Sequence, residues 1–75
     1  MSDPSGTAGD VPADDFPHGA GNPARRALRA AGYTRLAQLT TVTAADVLAL
    51  HGVGPKAIRV LREALAAEGL AFAGE

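Results

Sequence analysis

The stretch with the clearest chemistry in this 75-residue chain is Leu50-His51-Gly52-Val53-Gly54-Pro55-Lys56. Its resource is backbone rather than side-chain reactivity. Two glycines around a valine, set between apolar helical segments, accept positive φ and close approach, which makes a tight hairpin turn. Pro55 has a preset φ and lacks an N–H that would be unpaired in a first helical turn, so a helix opens there sharply. Turn amides, the positive end of the helix dipole and the Lys56 ammonium together suit an anion, phosphate first of all. His51 stands where the turn begins, a position for helix-end packing or for a hydrogen bond to the same anion.

Other chemistries lack their residues. There is no paired-carboxylate or Ser/His/Asp constellation, no His, Cys, Asp and Glu set at ligand spacing, and too little chain to bury a sizeable pocket. No enzyme activity, metal or cofactor is expected. With no cysteine, a reducing compartment is the simplest assumption. No run approaches the roughly 18 apolar residues of a membrane span. The acidic, Gly/Pro-rich start also lacks the basic and apolar regions of a signal peptide, so a cytoplasmic protein without a membrane partner is expected. The net charge of −1 is unevenly spread. Asp3, Asp10, Asp14 and Asp15 crowd the N-terminus, whereas seven basic residues face only Asp46, Glu63, Glu68 and Glu75 from Phe16 onward. The later part is mildly basic, enough to favour phosphate where charges cluster.

Short helices must position the turn. Residues 1–21 mix Pro, Gly, Ser and Asp without apolar period and read as a disordered tail, leaving 22–75 as the folded domain. Phe16 either lies down on that domain or belongs to an idle linker, and His18 reads as a solvated tail residue. Asn22 as cap, Pro23 in the first turn and Gly32 at the end define a helix over Pro23–Ala31. Ala24, Ala27, Leu28 and Ala31 form its inner face. Arg25, Arg26 and Arg29 turn outward, as phosphate contacts or as a solvated face. A short helix over Arg35–Gln38 is broken by Thr40-Thr41-Val42. Thr43 and Asp46 fit a capping box for a helix reaching Leu50, with Val47, Leu48 and Leu50 as core candidates. A last helix spans Pro55–Glu68, with Ile58, Leu61 and Leu65 inward and Arg59 and Glu63 spaced to pair. Leu70 and Phe72 fold back across it, and Ala-Gly-Glu at the end frays.

The run Val-x-x-Leu-x-Gly-Val-Gly-Pro-Lys-Ala (47–57) resembles a helix-hairpin-helix motif, spanning about 47–61. Residues 22–72 further resemble the C-terminal domain of the bacterial RNA polymerase alpha subunit. The likeness lies in Ala-Gly-Tyr-Thr-x-Leu-x-x-Leu (31–39), Thr-x-x-Asp (43–46), the Gly-Val-Gly turn and Glu-Gly-Leu (68–70). The resemblance implies an all-α, SAM-like bundle of four to five short helices whose turn amides contact DNA phosphates. Gly54 and Lys56 match positions that touch the DNA backbone in that domain. The position of its minor-groove arginine is Pro23 here, Arg26 replaces an asparagine contact, and Val60 replaces a glutamate on the last helix.

Two functions follow as expectations. The first is a non-enzymatic module gripping double-stranded DNA by its backbone, largely without regard to sequence, through Gly52, Val53, Gly54 and Lys56, with Arg25, Arg26 and Arg59 adding phosphate contacts. The second is a protein-interaction module on the same helical fold, with a partner such as the transcription machinery; the two glycines then serve turn geometry alone.

Overall fold

Proline, glycine and one capping box cut the chain into short helices. The computed structural model describes residues 14–75. It contains a 3-10 turn η1 (His18–Ala20), helix α1 (Asn22–Ala30), a 3-10 helix η2 (Leu36–Thr41), helix α2 (Ala44–Leu48) and helix α3 (Pro55–Ala67), with no strand among the described residues. The all-α class therefore holds. α1 starts one residue earlier than expected: Gly21 is the cap residue, and Asn22 is already helical. α2 is only five residues long and opens on the expected box, with Asp46 N–H donating to Thr43 Oγ1 at 3.0 Å and Thr43 N–H to Asp46 Oδ2 at 3.2 Å. Such a short helix draws much of its stability from the cap and from packing.

α3 is the central element. Its Ile58, Leu61 and Leu65 are buried against Leu28 of α1, Leu36 and Leu39 of η2, and Val47 of α2. Its end is a Schellman turn, in which Leu70 N–H reaches Leu65 O at 2.8 Å and Gly69 takes φ +73°, a conformation open to glycine at little cost. That reversal carries Phe72 back into the core, 1% exposed. α1 ends on the same 6→1 bond, from Tyr33 N–H to Leu28 O at 2.9 Å.

The domain begins earlier than residue 22. Phe16 is 4% exposed and belongs to the core, and the Asp14 side chain is fully buried. Asp15 N–H donates to Thr34 O at 3.0 Å while its carboxylate accepts from Leu36 N–H at 2.7 Å. η1 packs on α3 so closely that a Cβ on Gly19 would stand 3.3 Å from Val60 Cγ1. Residues 14–21 are thus a strap, not a tail. One aromatic anchor and paired carboxylates offset the ordering entropy that composition alone suggests cannot be repaid. His18 lies in η1, with Nδ1 3.3 Å from Arg25 Nη1. Residues 1–13 of the expected tail lie outside the described residues.

Other expectations are corrected. Leu48 is 43% exposed rather than core, and Leu50 is half-buried. Thr40 and Thr41 do not break η2: their hydroxyls donate to Ala37 O and Gln38 O, three residues back, and so support the 3-10 turn. Arg59 and Glu63 form no ion pair among the described residues, where the pairs are Arg25–Asp14, Arg29–Asp14 and Arg62–Glu75. The chain end does not fray, because Ala73 N–H donates to Val42 O at 2.8 Å and Arg62 Nε and Nη2 both donate to the Glu75 carboxylate.

Candidate nucleic-acid interface

The turn between α2 and α3 is closed by Leu50 N–H to Val47 O at 3.0 Å and Val53 N–H to Leu50 O at 3.1 Å. Gly52 has φ +100°, and a Cβ there would meet Pro23 O at 3.0 Å and Ala27 Cβ at 3.6 Å. Gly52 therefore braces the turn on the first turn of α1, for which both its left-handed backbone and its missing side chain are needed. Val53, expected among the contact residues, has its side chain in the core and its N–H engaged within the turn. Gly54 has ordinary φ −113° and open space around its Cα. Its carbonyl accepts from Ile58 N–H, and no side chain caps α3. The first-turn N–H groups of Lys56 and Ala57 therefore have no intrahelical acceptor, while the Lys56 side chain is exposed beside them.

The basic residues divide by location. Arg26 is exposed and lies on α1 between Pro23 and Ala27, the two residues that Gly52 meets, so it stands on the outer edge beside the turn. Arg59 is exposed one helical turn beyond Lys56. Arg25, by contrast, does not face outward free: its Nε lies 3.3 Å from Asp14 Oδ1, and its side chain is 13% exposed. Arg29 Nη1 lies 2.5 Å from Asp14 Oδ2. Burial pushes the Asp14 carboxyl up, but hydrogen bonds from Arg29 and from Phe16 N–H, with the charge and hydrogen bond of Arg25, outweigh it and hold the group below its ordinary value. Of the basic residues, Arg26, Lys56 and Arg59 are thus exposed, whereas Arg25 is engaged with Asp14 and the Val53 side chain lies in the core.

Between α1 and the turn lies a shallow depression of about 280 Å³, lined by Ala27, Ala30, Ala31, Leu50 and His51. No family model, curated protein or solved structure matches this chain. The chemistry of the site therefore rests on its own groups. Among the described residues no three His, Cys, Asp or Glu side chains gather as metal ligands, and no helix is long and apolar enough to cross a membrane.

Asp14 and Pro23 are the residues whose roles the sequence concealed. Asp14 precedes its partners by eleven and fifteen residues, a separation with no helical or strand period; the neighbouring Phe16 is its one local signal. Pro23 reads as a helix opener, and only the tertiary contact reveals that its carbonyl supports Gly52.

Proposed function

We propose that this chain is a small DNA-binding module of the helix-hairpin-helix kind, holding backbone phosphate at the turn between α2 and α3. The observation that carries the reading is the uncapped start of α3 with Lys56 exposed beside it, on a turn braced against the helix that bears Arg26. Free N–H groups, the helix dipole and the Lys56 ammonium lie together there, while no acidic side chain lies in the turn itself. Arg59 extends the same edge along α3. Phosphate contacts of this type position a protein without reading bases, so binding is largely independent of sequence. With Arg26, Lys56 and Arg59 as phosphate contacts, log K falls with log salt with a slope of roughly −3.

Fluorescence anisotropy with labelled duplex at low and moderate salt tests this reading. Wild-type protein binds in a salt-sensitive manner, and Lys56→Glu loses that binding. Absence of wild-type binding at low salt and high protein concentration refutes it, as does a chemical-shift map in which the perturbed amides avoid residues 51–57.

One observation favours the second reading, a protein-interaction module: Leu48, on α2 just before the turn, is a large apolar side chain left 43% exposed. Under that reading Leu48→Ser abolishes partner binding and leaves DNA affinity unchanged.

A further inference from the structure

The strap meets the domain as a bound peptide meets its receptor, through three consecutive residues. The Asp14 carboxylate, with no exposed surface, takes Arg29 Nη1 on one oxygen and Arg25 Nε, at 3.3 Å, on the other. Asp15 N–H donates to Thr34 O at 3.0 Å, and its carboxylate accepts from Leu36 N–H at 2.7 Å. Phe16 enters the core, and its N–H donates back to Asp14 Oδ1 at 3.0 Å, which fixes the spacing between acid and ring. The charges do not balance. Two guanidinium groups face one carboxylate, and the other polar neighbours of Arg25, His18 Nδ1 at 3.3 Å and Asn22 Oδ1 at 3.4 Å, bring no negative charge. An arginine pair beside an apolar slot, with a backbone carbonyl and N–H between them, fits an acidic residue followed at the second position by an aromatic one. The surplus charge favours a ligand more acidic than the strap. This face is distinct from the phosphate edge: Pro23 and Ala27 approach Gly52, whereas Arg25 and Arg29 lie about 200° around α1 from them, at roughly 100° per residue.

We propose that the seat of the strap is a docking site for an acidic-aromatic peptide of a partner protein, Asp/Glu-x-Phe in pattern, and that Asp14, Asp15 and Phe16 occupy it as a built-in competitor. The proposal is independent of the phosphate grip. A tethered competitor acts at an effective concentration on the order of mM, so the partner's peptide enters where it out-binds the strap or where the strap is loosened. Release of the strap and capture of the partner are then one equilibrium, in which the incoming segment takes over the arginine pair, the Leu36 N–H and the aromatic slot.

The test uses the full chain and a labelled, end-capped peptide of residues 14–18, Asp-Asp-Phe-Pro-His, in fluorescence anisotropy. Asp14→Asn loosens the strap and keeps both arginines, so the peptide binds this variant about tenfold more tightly than wild type, the scale of one hydrogen-bonded charge pair. The double variant Arg25→Gln and Arg29→Gln also loosens the strap but removes the cations, and it binds the peptide about tenfold more weakly than Asp14→Asn does. Replacing the peptide's first Asp by Asn, or its Phe by Ala, costs at least as much. Where Asp14→Asn lacks a cooperative melt of its own, added peptide restores one, because a ligand of the folded state alone stabilises that state; failure to restore it overturns the proposal. Equal affinity for wild type and Asp14→Asn overturns it too, as does binding indifferent to the peptide's first Asp and Phe. Double-variant affinity equal to that of Asp14→Asn refutes the role of the arginine pair and with it the proposed site.

Discussion

Gly52 and Pro23 meet backbone to backbone: a Cβ on Gly52 would lie 3.0 Å from the Pro23 carbonyl oxygen and 3.4 Å from its carbon. The contact fastens the α2–α3 turn to α1. It makes the two glycines of the turn unequal, although they look alike in sequence.

Gly52→Ala places a side chain at φ +100° and against an atom that cannot move without disturbing α1. It is expected to destabilise the fold by about 1–3 kcal/mol, read as a lower urea midpoint. Gly54→Ala meets open space at φ −113°, and its cost stays below about 1 kcal/mol.

Asp14 makes stability depend on acid pH. Its carboxyl is held below its ordinary value in the folded chain, so it binds a proton more readily when unfolded. Its contribution is fully present above the unfolded value of about 4 and is lost as pH falls through the lower folded value. Asp14→Asn flattens this acid limb in thermal melts taken from about pH 5 downward.

The same substitution leaves Arg25 and Arg29 charged without their counter-ion. If the grip proposed above holds, the salt dependence of DNA binding steepens from a slope of roughly −3 toward −4 or −5 as those arginines reach phosphate. A titration of Asp14→Asn over a range of salt concentrations measures it. An unchanged slope places both arginines out of reach of the DNA.

Phe16→Ala is expected to cost about 3–5 kcal/mol, the range for truncating a buried phenylalanine. That is comparable to the whole stability of a domain this small, roughly 3–9 kcal/mol at 0.05–0.15 kcal/mol per residue. Circular dichroism on a chain starting at residue 22 should show the same loss, whereas one starting at residue 14 keeps its melting transition.

Thr43→Ala removes the hydroxyl that accepts from Asp46 N–H and should cost about 1 kcal/mol, measurable by denaturant unfolding. Because α2 has only five residues, amide exchange should accelerate there before it does in α3.

What could be read from the sequence was whatever depends on neighbours in the chain. Pro55, the Thr43/Asp46 box and the glycines after α1 and α3 mark helix ends within a residue or two, and the Ile58, Leu61 and Leu65 stripe is buried as its period requires. Tertiary placement was not legible. Leu48 carries the same apolar signal as Val47, yet α2 is too short to bury both faces and leaves Leu48 outside. Arg25 and Arg26 are adjacent and chemically identical, but only Arg25 meets the strap that brings Asp14 to it. Val53 sits between two glycines in a motif rich in exposed backbone, and its side chain turns inward all the same.

If the grip proposed above holds, the close approach of Gly52 and Pro23 also bears on the speed of recognition. A turn already fastened to a helix has no loop to order when a ligand arrives, so the entropy of shaping it is lost on folding and not again on association. Encounter is then governed by orientation and charge, with rapid arrival and equally rapid departure for a surface with so few contacts. A grip of that kind would suit transient sampling of many sites better than long residence at one.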